Sequence, residues 1–172
     1  MTPGQSNMNS AAVITVSDTR SEETDDSGKY LAGQLTDHGY TIAEKAIVRD
    51  DVYQLRAVLS RGIAAPDTGI IITTGGTGLT ASDITPEAVR PLLDKEIEGF
   101  AELFRWLSYE EIGTSMVQSR VLAGTANATL IFCIPGSTHA CRTAWEKILR
   151  HQLDPRHKPC NFIELLPRLA RR

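Results

Sequence analysis

The densest chemistry in the chain lies between Thr73 and Val89, in TTGGTGLTASDITPEAV. Three glycines in four positions, Gly75, Gly76 and Gly78, sit beside the hydroxyls of Thr74 and Thr77. Backbone without Cβ turns sharply and brings its N–H groups close to a ligand, and threonine adds further donors. Asp83 follows, and then Thr85-Pro86-Glu87, where Thr85 reads as a helix N-cap and Pro86 as the first helical residue. The apolar run before the loop, Gly69-Ile70-Ile71-Ile72, reads as a buried central strand. Strand, donor-rich loop, carboxylate and helix start, in that order, describe an anion site.

Three more polar segments follow strand-like runs. Ala11 to Val16 ends in Ser17-Asp18-Thr19-Arg20, Tyr40 to Val48 ends in Arg49-Asp50-Asp51, and Thr129 to Ile134 ends in Pro135-Gly136-Ser137-Thr138. In a parallel sheet the carboxyl ends of the strands share one edge, so these loops converge with the glycine loop on one ligand. The edge then carries amides and hydroxyls for phosphate, together with the carboxylates of Asp50 and Asp83. Carboxylates beside phosphate call for a cation, and Mg²⁺ is the ion held by one or two carboxylates plus substrate phosphates. Either Asp50 or Asp51 also suits the N-cap of the helix that follows. A P-loop is excluded because no lysine lies in the glycine loop. Gly76 to Ala81 matches the loose dinucleotide pattern GxGxxA, but the helix start at Thr85 comes too late for that geometry.

The elements that must position these loops are legible in the apolar spacing. Leu31, Ala32 and Leu35 mark a helix from Gly28 to His38, stopped by Gly39, and Val52, Leu55, Val58, Leu59 and Ile63 mark a second. The acidic run Glu22, Glu23, Asp25 and Asp26 reads as a solvated face at a helix start, with no chemistry assigned. Pro86 to Asp94 reads as a short helix interrupted by Pro91, and 96–100 gives no clear reading. Phe100, Leu103, Phe104, Leu107 and Ile112 predict one buried face of a helix that stops at Gly113, followed by a helical piece from Thr114 to Arg120. Ser137 or Thr138 caps a helix through Leu149, and the tail predicts a short helix around Ile163 to Leu169. Strands alternating with helices imply a mostly parallel sheet covered by helices, an α/β architecture.

With 172 residues, the chain suits a single domain over 11–172 behind a loose tail at 1–10. A net charge of −3 argues against nucleic acid as a partner. No apolar run approaches the roughly 20 residues that span a bilayer, and the N-terminus lacks a signal-peptide pattern, so a cytoplasmic protein with no membrane partner is expected. Cys133, Cys141 and Cys160 show no CxxC spacing and read as reduced, buried thiols. The four histidines show no spacing for a metal site.

The segment TTGGTGLTASDITPEA closely resembles the signature TTGGTG-x₄-D-x-TPEA of the molybdenum-cofactor biosynthesis fold, shared by the molybdopterin adenylyltransferases. Ser17-Asp18-Thr19-Arg20, LSYEEIGTSMVQSR, PGSTHACRTAW and PCNF are similar to segments of its molybdenum cofactor biosynthesis protein B group. The resemblance implies a three-layer α/β/α sandwich, assembled as a homotrimer or homohexamer, that joins molybdopterin to AMP from Mg-ATP. A molybdopterin-binding or carrier protein without turnover is the alternative within that family. Matched by motif, Asp50 and Asp83 correspond to the catalytic and metal-handling carboxylates. Thr74 to Gly78 correspond to the phosphate-binding loop, and Pro135, Gly136 and Ser137 to the second ligand loop; Ser17 joins them as a ligand-binding candidate by its place on the same sheet edge. Ala81-Ser82 stands where related sequences often carry Pro-Arg, and Ala101 replaces a frequent glycine.

Overall fold

The structure, a computed structural model, describes residues 9–169. Six strands form one sheet in the order β2-β1-β3-β6-β5-β4. β1 (Ser10–Val16) lies between β2 (Thr41–Val48) and β3 (Thr68–Thr74), and β3 pairs with β6 (Thr129–Ile134), all of them parallel. β5 (Leu122–Ala126) runs antiparallel to β6, and the two-residue β4 (Lys95–Glu96) runs antiparallel to β5. The sheet is therefore mostly parallel, as expected, with an antiparallel edge. Asn127 and Ala128 both have positive φ (47° and 64°), which turns β5 into β6 as a hairpin. β4 overlaps the unread stretch 96–100 only at Glu96, and two residues are too few for periodicity.

Alternation along the strands divides the interior into two cores. Ala11, Val13, Ile70, Ile72 and Phe132 face one side with Leu31, Phe104 and Trp145; Ala12, Ile14, Ile71 and Ile131 face the other with Leu55, Leu59 and Val89. The first layer holds α1 (Asp26–Asp37), α4 (Glu98–Ile112) and α5 (Thr138–Ala144), and the second holds α2 (Val52–Ala64) and α3 (Thr85–Val89). This is the three-layer α/β/α sandwich. After α5 the chain continues through a π turn, Trp145–Leu149, into α6 (Arg150–Gln152). Gly39 has φ +90 and ends α1 as expected.

Several expectations need correction. Ser10 already pairs in the sheet and Asn9 accepts a bond from Thr41, so the tail boundary at residue 10 is too late; residues 1–8 lie outside the described residues. The helix around Pro91 is cut short as its sequence anticipates: α3 ends at Val89, and 90–92 tighten into a 3₁₀ turn. Leu103 and Ile112 are exposed on α4, with Trp106 at 62% exposure, Tyr109 and Val117 beside them in sequence, while Ala101 and Ser108 join Phe100 and Phe104 inside. The buried stripe is rotated from the one the largest side chains suggest. The piece after Gly113 is a 3₁₀ helix over Gly113–Gln118, and among the described residues of the tail only Leu166–Arg168 forms such a turn. Cys160 is exposed, whereas Cys133 and Cys141 are buried.

Candidate functional site

A cavity of about 530 Å³ opens at the carboxyl edge of β1, β2, β3 and β6, and all the site residues inferred from the sequence line it. β1 and β3 are adjacent there, and their connections leave to opposite faces of the sheet, the arrangement in which open α/β sheets bind ligands.

The glycine loop is held by its carbonyls. Thr85 Oγ1 donates to the Gly75 carbonyl at 2.8 Å, and the Thr85 amide donates to the Gly76 carbonyl at 2.9 Å. Thr85 is thus no side-chain N-cap: α3 has none, and the hydroxyl anchors the loop instead. The Arg120 amide takes the Thr77 carbonyl, and its guanidinium takes the carbonyls of Gly78 (2.7 Å) and Asp83 (2.8 Å) while pairing with Glu87. With the carbonyls engaged, the amides of Gly76 and Thr77 have no acceptor among the described residues. Glycine is required by geometry at two places. Gly75 has φ +104 and a Cβ there would lie 2.3 Å from the Val16 carbonyl oxygen; Gly76 has φ +67 and its Cβ would lie 2.5 Å from Thr85 Oγ1.

The hydroxyls of Thr74, Ser17 and Ser137, which line the cavity, also brace its loops. Thr74 Oγ1 donates to the Pro135 carbonyl (3.0 Å), Ser17 Oγ accepts from the amides of Thr19 and Arg20, and Ser137 Oγ caps α5 by accepting from Ala140. Of Asp50 and Asp51, the second is the N-cap. Asp51 caps α2, accepting from Tyr53 and Gln54, which leaves Asp50 at the cavity. Asp50 and Asp18 clasp the first two loops together: the Asp18 amide donates to Asp50 Oδ2 (3.0 Å) and the Asp50 amide to Asp18 Oδ1 (3.1 Å).

The two candidate carboxylates differ electrostatically. Burial, then the charge of Asp18, and further the charge of Asp83, hold the Asp50 carboxyl above its ordinary range. The Thr80 hydroxyl, 2.6 Å from Asp83 Oδ2, is the main cause that holds Asp83 below it. Among the described residues no group of three or more His, Cys, Asp or Glu is placed to hold a metal alone. Two oxygen donors whose charges repel suit a hard divalent cation that completes its shell with phosphate and water.

Several lining residues have no site role in the sequence reading, although Ser108, Glu111 and Ser119 fall within LSYEEIGTSMVQSR. Asp25, 1% exposed, accepts from Thr15 Oγ1 and the Gly28 amide and pairs with Lys45 at 3.3 Å, so the acidic run does contain a structural carboxylate. Its signal was present: it sits one residue before α1 and three before Gly28, the geometry of an N-cap. Ser27 Oγ donates to the Gly136 carbonyl and ties α1 to the loop after β6. α4 and the turn after it contribute Arg105, Ser108, Glu111 and Ser119. Glu111 binds Lys147 and His139, each at 2.9 Å, and accepts from Thr143 Oγ1. Burial pushes its carboxyl up, and the Lys147 and Thr143 bonds more than reverse that.

Residues 12–155 match the family described as a probable molybdopterin binding domain. The chain is 56% identical over 151 residues to molybdenum cofactor biosynthesis protein B of Escherichia coli (strain K12), covering 88% of this chain and 89% of that protein. A crystal structure of a molybdenum cofactor biosynthesis protein B superposes with a TM-score of 0.80 at 43% identity, over 84% of this chain and 90% of the other. A tungsten cofactor synthesizing protein from Pyrococcus furiosus superposes with a TM-score of 0.72 at 36% identity, over 81% and 89%.

Proposed function

The chain belongs to the molybdopterin-binding family, within its molybdenum cofactor biosynthesis protein B group, and from that premise we propose that it transfers the adenylyl group of ATP to molybdopterin. It is a molybdenum cofactor biosynthesis protein, and its substrates in this reading are molybdopterin and Mg-ATP. The observation that carries the reading is the glycine loop, whose Gly76 and Thr77 amides are uncommitted beside two carboxylates at the strand edge.

The Gly76 and Thr77 amides receive a phosphate, and Thr85 and Arg120 keep them in place by holding the loop carbonyls. An oxygen of the terminal phosphate of molybdopterin attacks the α-phosphorus of ATP. A bond forms from that oxygen to phosphorus, the bond between the α-phosphorus and the bridging oxygen breaks, and its electron pair leaves with pyrophosphate. Asp50 and Asp83 would hold Mg²⁺, which would offset charge on the phosphates. Because phosphoryl-type transfer depends chiefly on positioning and electrostatics, no general base is needed beyond these groups. The exposed apolar side chains of α4 suit burial against further copies in a homotrimer or homohexamer, which sedimentation measures.

The test is formation of adenylylated molybdopterin from molybdopterin, ATP and Mg²⁺ by the wild type and by Asp83→Asn. Product from the wild type and its loss in the variant are expected. Molybdopterin binding without product defeats the enzymatic reading and leaves a carrier. Among the described residues no helix is long and apolar enough to cross a membrane.

A further inference from the structure

The glycine loop has an electrostatic gap: from Gly75 to Asp83 it contains no lysine or arginine. Ser82, the position where a cation is expected by resemblance, offers a hydroxyl that lies 3.2 Å from Thr80 Oγ1. The cavity is nonetheless lined by Asp25, Asp50, Asp83 and Glu111. Asp25 is paired with Lys45, and Glu111 with Lys147, both within the protein. Asp50 and Asp83 remain, on loops that lead into the α2/α3 layer. On that side no lysine or arginine among the described residues lines the cavity; Arg120, bound to the Gly78 and Asp83 carbonyls and paired with Glu87, lies behind the loop.

The only arginines lining the cavity, among the described residues, are Arg20 and Arg105. Arg20 is turned to the Thr24 carbonyl through Nη1. Arg105 comes from α4, in the layer on the other side of the sheet; it is half-buried, and its guanidinium has no hydrogen bond or ion pair among the described residues. Ser108, one turn further along α4, is buried and lines the same cavity. Ser119 Oγ, also in the lining, is buried without a partner. A free guanidinium and an unsatisfied buried hydroxyl in one cavity are groups that a ligand's oxygens complete.

We propose that Arg105 is the specificity-determining cation of the cavity, pairing with a phosphate of the bound ligand from the α4 side while the glycine loop holds the ligand by amides. The inference rests on the functional reading above and adds to it a residue that the signature motif does not contain. A planar guanidinium binds phosphate oxygens in pairs, which an ammonium does not reproduce.

The experiment is calorimetric titration of wild type, Arg105→Gln and Arg105→Lys with molybdopterin and, separately, with inorganic triphosphate, at low and high salt. Loss of one charge-assisted contact predicts that Arg105→Gln weakens binding about ten- to a hundredfold and flattens its salt dependence. Arg105→Lys recovers part of the affinity, and unchanged melting temperatures show that both variants fold. Equal affinity of wild type and Arg105→Gln for both probes overturns the proposal. Tight molybdopterin binding that ignores Arg105 overturns it while sparing the functional reading. Arg105-dependent binding of triphosphate by a protein that does not bind molybdopterin does the reverse. Binding of neither probe by the wild type overturns both.

Discussion

Replacing Thr85 with valine tests whether the glycine loop is held by its carbonyls. Thr85 is fully buried, and its hydroxyl lies 2.8 Å from the Gly75 carbonyl oxygen. Valine keeps the branched shape and removes the donor, so a buried carbonyl loses its partner at a cost of about 1–3 kcal/mol. For a chain of this length each kcal/mol lowers the melting temperature by roughly 2–4 °C. Thr85→Ser is the control: it keeps the hydroxyl and gives up one buried methyl, about 0.8 kcal/mol before any cavity cost. The account therefore orders stability as wild type, serine, valine, whereas an account based on apolar burial alone places valine above serine. Urea unfolding at a fixed protein concentration measures the order. A valine variant at least as stable as the serine variant refutes the anchoring role. The same variant is expected to bind molybdopterin more weakly, because the Gly76 and Thr77 amides lose their fixed direction.

Other predictions concern charge, bracing and thiols. Asp83, held below the ordinary carboxylate range, contributes stability that is full above its unfolded pKa and lost as pH falls through its folded one. Asp50, pushed up, costs stability above its folded pKa, and that cost disappears as pH falls through it. At neutral pH, Asp83→Asn should lower and Asp50→Asn raise thermal stability, each by under about 1 kcal/mol for partly exposed groups; melting curves that show the same sign for both contradict this. Arg120→Met removes bonds to the Gly78 and Asp83 carbonyls and is expected to speed amide hydrogen exchange across residues 77–83, with the β3 amides unchanged. Burial pushes the Cys133 thiol up to about 12 and raises Cys141 as well, so a thiol reagent should label only Cys160 in the folded protein and all three cysteines in denaturant. Mass spectrometry of the labelled peptides reads the result.

Periodicity exposed the parallel half of the sheet because Ile70-Ile71-Ile72 and TLIFCI are long, β-branched or apolar, and buried on both faces. The glycine loop was equally legible, since positive φ at Gly75 and Gly76 admits few other residues. What stayed hidden depends on distant partners. Thr85 has the residue type and position of an N-cap, and only the fold brings Gly75 to its hydroxyl. Arg105 lies on α4, remote in sequence from the strand-end loops, and only the fold brings it to their cavity. On α4, size misled: Leu103, Trp106 and Ile112 are large but face outward, and the small residues Ala101 and Ser108 pack inward. Asp25 looks like surface charge in the sequence because three acidic neighbours surround it, although it alone is buried and caps α1.

Titrating molybdopterin into ¹⁵N-labelled protein tests most directly whether the glycine loop is the phosphate site. The Gly76 and Thr77 amide protons are expected to show the largest downfield shifts, as uncommitted donors acquire an anionic acceptor. Binding that leaves both resonances in place while shifting others, or no binding at all, contradicts the account.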